Sequence, residues 1–164
     1  MIITRKGKGL RFADSDVRAM GRASRGVRGI KLIGDDEVAG LVKVSDERRI
    51  MMITEKGQGK QIHFDEFRSH RRGTMGQKIY TFRDKTGYIV GVLAVNDDDD
   101  IVCITAMGQS IRIPVSTISI QKAYASGVMV ARLRKGDTVV AIARADAEKE
   151  EELEGESDSG EESE

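Results

Sequence analysis

One cysteine, one proline, two histidines and no tryptophan leave few of the residues from which catalytic and cofactor sites are usually built. A lone thiol supplies neither a disulfide framework nor a zinc-binding Cys cluster. Cys103 sits in the apolar run Ile101-Val102-Cys103-Ile104, where a buried, inert thiol is expected. His63 and His70 have no third histidine for company, which argues against zinc. The three Tyr and four Phe form no stacking platform for single-stranded nucleic acid. No nucleophile–base pair or carboxylate pair is visible, so no catalytic residue, metal or cofactor is expected. No apolar run is long enough to span a bilayer, and the N-terminus has no signal-peptide core. A soluble, cytoplasmic protein with no membrane partner is the expectation.

Two glycine-rich stretches invite a nucleotide reading and fail it. Lys6-Gly7-Lys8-Gly9 lacks the Gly-Lys-Ser/Thr that completes a P-loop, and Gly26-Val27-Arg28-Gly29 lacks the third spaced glycine of a dinucleotide fingerprint. Asp97 to Asp100 lack the alternation, glycine and terminal Glu of an EF-hand loop, so they read as a solvated turn.

What is present is a repeat. Ile3-Thr4-Arg5-Lys6-Gly7 returns as Ile53-Thr54-Glu55-Lys56-Gly57 and as Ile104-Thr105-Ala106-Met107-Gly108. Arg25-Gly26-Val27 is matched by Arg72-Gly73-Thr74 and Ser126-Gly127-Val128. An apolar segment from Val38 to Val42 is matched by Ile89 to Leu93 and Val139 to Ala143. Three landmarks in one order, at a period near 50 residues, indicate propeller blades or solenoid units. Each unit is rich in Val, Ile and Thr, punctuated by Gly and Asp, with no long amphipathic helix. The expected fold is all-β, with three four-stranded blades over about residues 1–49, 50–100 and 101–145. Lys56-Gly57-Gln58-Gly59 reads as a hairpin turn, and Pro114 as a strand end or edge.

The zero net charge conceals an asymmetry. Residues 146–164 hold eleven acids and one lysine, whereas residues 1–145 hold 26 basic and 16 acidic residues. A basic body with an acidic tail suggests a polyanionic partner and an internal competitor for it. The tail lacks the apolar residues to offset ordering entropy, so disorder is expected there. The basic residues cluster at two places in each unit. One is the glycine-rich turn, with Arg5, Lys6, Lys8 and Arg11, then Lys56 and Lys60. The other is the Arg-Gly loop, with Arg18, Arg22, Arg25, Arg28 and Lys31, then Arg68, Arg71, Arg72 and Lys78. The third unit is poorer, contributing Lys122 with Arg112 and Arg132. In a blade array equivalent loops share a rim, and these clusters would form a basic band matched to duplex phosphates.

The stretch Asp16 to Leu32, containing Arg25-Gly26-Val27-Arg28-Gly29, resembles the blade signature of the DNA gyrase A C-terminal domain. Val90-Gly91-Val92, Ile101 to Thr105 and Val115 to Ile120 resemble that domain's last two blades in order. The resemblance implies a propeller-like β-pinwheel whose blades exchange strands and whose rim binds and bends duplex DNA for negative supercoiling. It also implies the rest of gyrase A, together with gyrase B, as partners. The family's disc has six blades, so three make half of it, and uncovered blade faces would favour self-association. His70-Arg71-Arg72-Gly73-Thr74-Met75-Gly76 resembles the family's QRRGGKG box, with His, Thr and Met in place of Gln, Gly and Lys. Two other readings remain open: a propeller that binds acidic proteins, and a topoisomerase IV-type domain that binds DNA without strong wrapping.

Overall fold

The computed structural model describes residues 1–146; Asp146 ends a strand, and the rest of the acidic tail, 147–164, lies outside the described residues. The described residues form eleven strands: β1 Ile2–Thr4, β2 Lys8–Leu10, β3 Val38–Leu41, β4 Arg49–Thr54, β5 Gln58–His63, β6 Gln77–Lys78, β7 Ile89–Val95, β8 Asp99–Thr105, β9 Ser110–Pro114, β10 Val128–Met129 and β11 Val139–Asp146. Short 3-10 turns at Asp14–Asp16, Phe64–Glu66 and Val115–Thr117 follow β2, β5 and β9. The strands build three antiparallel sheets, ordered β3-β1-β2-β6, β10-β5-β4-β7 and β11-β8-β9. The all-β architecture matches the expectation. Four strands are present in the first two sheets and three in the third, among the described residues.

The repeated Ile-Thr-x-x-Gly motif has a local cause. Each threonine closes a tight hairpin turn: Gly7, Gly57 and Gly108 donate their N–H to the Thr4, Thr54 and Thr105 carbonyls at 3.1, 2.9 and 3.0 Å. The threonine hydroxyl then accepts the N–H four residues on, from Lys8, Gln58 and Gln109, at 3.0, 3.2 and 3.0 Å. The glycines have φ of +93°, +81° and +78°, a left-handed conformation that other residues rarely adopt and that lets the chain reverse. Replacing Thr54 by Val keeps the shape and removes the acceptor. The expected cost is about 1–2 kcal/mol, read as a lower thermal midpoint.

Strand exchange joins the sheets. β6 belongs to the second repeat by sequence but pairs with β2 of the first, with Lys8 opposite Lys78 and Gly9 opposite Gln77. β10, from the third repeat, pairs with β5 of the second, with Gln58 opposite Met129 and Gly59 opposite Val128. Side chains tighten the same junctions. Arg11 Nη1 donates to the Phe64 and Phe67 carbonyls at 2.9 and 3.4 Å, and Gln61 Nε2 donates to those of Val115 and Ile118 at 2.9 and 2.7 Å. One device, built from different residues, thus clamps each unit to the 3-10 turn of the next.

The central sheet is apolar on both faces. Ile50 and Met52 of β4 join Ile3, Ile62, Phe67, Ile79 and Ile89 in one core, while Met51 and Ile53 join Val95, Ile101, Cys103 and Val115 in another. That two-sided burial explains why Ile50-Met51-Met52-Ile53 is a continuous apolar run. β8 instead alternates: Ile101 and Cys103 are buried, and Ile104 is exposed. Cys103 is buried as expected, and burial pushes its thiol up to about 11, away from thiolate reactivity.

Candidate nucleic-acid interface

The Arg-Gly loops of the first two repeats meet along the outer edge of the first sheet. Gly73 N–H donates to the Gly29 carbonyl at 2.6 Å, and Lys31 N–H donates to that of Thr74 at 2.9 Å. Arg72 fastens the contact, giving Nε to the Asp16 carbonyl at 2.9 Å and Nη1 to the Arg28 carbonyl at 3.2 Å. Residues 44 apart, Arg28 and Arg72, are thereby placed in one cluster. β6 continues the same edge, and its register sets Lys78 opposite Lys8. Like charges directly across a ladder are destabilising on their own.

The sixteen basic residues proposed from the sequence fall into three groups. Arg18, Arg22, Arg25, Arg28, Lys31, Lys56, Arg68, Arg71 and Lys78 are exposed and Lys8 is half-buried; no carboxylate among the described residues pairs with any of them. Arg5, Lys6 and Lys122 are held by acids. Arg5 Nη1 lies 2.8 Å from Glu37 Oε2 with its guanidinium over the Tyr88 ring, Lys6 pairs with Asp35, and Lys122 Nζ lies 2.6 Å from Glu66 Oε1. The Asp35 partner raises the Lys6 ammonium above its usual range, and Glu66 does the same for Lys122. Arg11, Arg72 and Lys60 make up the third group, bound to backbone carbonyls.

Lys60 requires a correction, because its side chain is fully buried and cannot meet a phosphate. Its Nζ donates to the carbonyls of Ile79, Lys122, Ala123 and Ala125 at 3.0, 3.0, 2.6 and 2.7 Å. Burial pushes the ammonium down to about 8. From sequence Lys60 looked like a second turn lysine. What sets it apart is its place: it aligns with Leu10 and Ile111, a core position in the other two repeats.

Asp97 and Asp98 form the exposed turn expected of them, whereas Asp99 and Asp100 belong to β8 and depart from it. Asp97 pairs with Arg49, Asp100 Oδ2 takes Arg112 Nε at 2.6 Å, and buried Asp99 lies 3.4 Å from Arg48 Nη1 and accepts the Asn96 N–H at 2.8 Å. Asp99 and Asp100 face arginines on the sheets and are largely covered, Asp97 pairs with Arg49 from an exposed position, and Asp98 is a plain surface acid. No metal-binding group of His, Cys, Asp and Glu occurs among the described residues. The third repeat carries exposed Arg132, Arg134 and Lys135 before β11. Arg134 and Lys135 escaped the sequence reading, which followed the turns and Arg-Gly loops; counting charge in the segment before each third landmark would have found them. The outer strand β10 is apolar, with Val128 and Met129 exposed, so the basic strand edge that β6 gives the first sheet is not continued on the second.

A propeller-type array of strand-exchanging antiparallel sheets, edged by arginine loops, is the class these features define. The profile of the family described as DNA gyrase C-terminal domain, beta-propeller, matches residues 1–45, 48–96 and 99–146, and the chain belongs to that family. The DNA gyrase A protein of Kosmotoga olearia is 43% identical over 145 residues, covering 87% of this chain and 18% of that protein. The gyrase A protein of Klebsiella oxytoca is 40% identical over 144 residues, covering 88% and 16%. The chain therefore spans less than a fifth of these relatives. Among solved structures, a DNA gyrase A C-terminal domain superposes with a TM-score of 0.81 at 27% identity, over 87% of this chain and 49% of that one. The C-terminal domain of DNA topoisomerase IV gives 0.83 at 24% identity, over 89% of this chain and 46% of that one, a likeness of fold. No helix among the described residues is long and apolar enough to cross a membrane.

Proposed function

We propose that this chain is a non-catalytic module that binds and bends duplex DNA within a gyrase-type type II topoisomerase. The observation that carries this reading is the joined pair of Arg-Gly loops, whose Arg18, Arg22, Arg25, Arg28, Lys31 and Arg71 lack carboxylate partners among the described residues. Such cations match the regular spacing of phosphates on a duplex edge, and the glycines between them admit close approach of the backbone. DNA following a curved rim costs a few kcal/mol to bend, which many phosphate contacts offset, so sequence preference would follow deformability. The partners are the remainder of gyrase A together with gyrase B, the location is cytoplasmic, and the contribution is to negative supercoiling. The acidic tail would compete with phosphate for the same edge.

Titration of a labelled duplex across a salt series tests the reading. Affinity should fall steeply with salt, and replacing Arg25, Arg28 and Lys78 together by Gln should shrink the slope by about 0.9 per lost contact. A chain ending at Ala145 should bind more tightly than the full chain, most of all at low salt. If neither version binds at low salt, the basic edge serves an acidic protein instead.

A further inference from the structure

The first two sheets place their charge differently. At the outer edge of the first sheet, Lys8 stands opposite Lys78 across the ladder. At the same edge of the second sheet the pair is Gln58 and Met129, and Val128 and Met129 are exposed. The reverse holds where each hairpin turns. Around the first turn Arg5 is held by Glu37 and Lys6 by Asp35, both from the acidic segment Asp35-Asp36-Glu37 that leads into β3. The segments in the same place before β7 and β11 read Arg83-Asp84-Lys85 and Arg134-Lys135. Strand edge and turn end have exchanged charge between neighbouring units.

The second turn, at residues 54–57, brings the two basic segments together. Glu55 N–H donates to the Tyr88 carbonyl, and Val139 N–H donates to the Glu55 carbonyl, both at 2.9 Å. A Cβ on Gly87 would lie 2.8 Å from Lys56 Cγ, and one on Gly57 would lie 3.5 Å from Leu133 Cγ. The bend at residues 83–87, closed by the Gly87 N–H on the Arg83 carbonyl at 2.8 Å, therefore flanks the turn on one side, and residues 131–138 flank it on the other.

Lys56, Arg83, Lys85, Arg132, Arg134 and Lys135 are all exposed there, and no carboxylate among the described residues pairs with any of them. Two of the nearby acids are tied to the backbone instead. Glu55 Oε1 accepts the Tyr88 N–H at 3.1 Å, and buried Asp137 accepts those of Met107 and Thr138 at 3.0 and 2.8 Å. Asp84 is exposed between Arg83 and Lys85.

We propose that a bound duplex does not follow the outer strand edges through the array. It lies on the edge of the first sheet and passes onto the turn end of the second, where these cations take its phosphates. The proposal rests on the DNA reading above and adds a path to it. Val128 and Met129 offer a phosphate no charge, whereas the cations beside the second turn match a run of phosphates.

Two measurements test the path. Replacing Arg83, Lys85, Arg134 and Lys135 together by Gln should shrink the salt slope of duplex binding by about 2 to 4, at about 0.9 per lost contact. The side chains are exposed, so the thermal midpoint should stay at the wild-type value. Cys103 is buried, so a photo-crosslinker attached to an introduced thiol reports on one position. From Asp84→Cys it should capture the duplex efficiently. From Met129→Cys, at the outer edge of the second sheet, it should capture far less. An unchanged slope in the quadruple variant overturns the path, and so does capture from position 129 that equals or exceeds capture from position 84. In both cases a slope that still shrinks on replacing Arg25, Arg28 and Lys78 leaves the DNA reading standing without this path. Absence of duplex binding at low salt in every version overturns both.

Discussion

Replacing Lys60 by methionine is expected to destabilise the protein by about 3–5 kcal/mol, although the new side chain is apolar and similar in length. The ammonium is the shared donor for four carbonyls from two segments, Ile79 beyond β6 and the loop Lys122 to Ala125 that leads into β10. Methionine fills the space and leaves those oxygens with no donor from this position. The equivalent first-repeat residue, Leu10, faces a loop whose carbonyls find other donors: that of Arg71 accepts the Thr74 hydroxyl, and that of Thr74 accepts the Lys31 N–H. In the loop under Lys60 the Lys122 carbonyl also accepts the Ala125 N–H at 3.1 Å, so the ammonium is needed chiefly for the carbonyls of Ile79, Ala123 and Ala125. Urea unfolding measures the effect, and a variant within about 1 kcal/mol of wild type would show that water or rearrangement replaces the ammonium.

The same residue gives a pH dependence with a definite sign. Its folded pKa of about 8 lies below the value of about 10.4 for an unfolded lysine. Below pH 8 both states hold the proton, and burial of the charge is a full cost. Between about pH 8 and pH 10 the folded state has released it while the unfolded state retains it. The stability of the wild type relative to Lys60→Met should therefore rise across that window. A flat difference would mean that the four carbonyl dipoles cancel the effect of burial.

Gly57→Ala should be the second severe change, costing more than about 3 kcal/mol, against about 1–2 kcal/mol for Gly108→Ala. Both glycines close equivalent hairpins at positive φ, so the backbone penalty is common to them. They differ in what crosses them. A Cβ on Gly57 would lie 2.1 Å from the Ala131 carbonyl oxygen, in the segment following β10. The same atom on Gly108 meets nothing within 4 Å. Neither partner in the Gly57 contact is the end of a flexible side chain, so relief requires moving the exchanged strand. Denaturation midpoints of the two variants isolate the cost of that crossing. Equal midpoints would refute the account.

The sequence alone determined the repeat, its period, the hairpins and the all-β class. Those are local properties: a threonine and a glycine fix each turn, and apolar spacing fixes each strand, whatever the chain does elsewhere. The inert setting of Cys103 and the end-of-strand place of Pro114 were legible for the same reason. The fate of individual charges was not. Lys56 and Lys60 share one hairpin, yet one is exposed and the other is buried beneath carbonyls supplied by residues 79 and 122–125. Asp99 and Asp100 read as surface acids until Arg48 and Arg112 are brought beside them. Tertiary structure alone decided which cations are neutralised and which remain for a partner, because ion pairing and burial depend on segments that are distant along the chain and adjacent only after strands are exchanged.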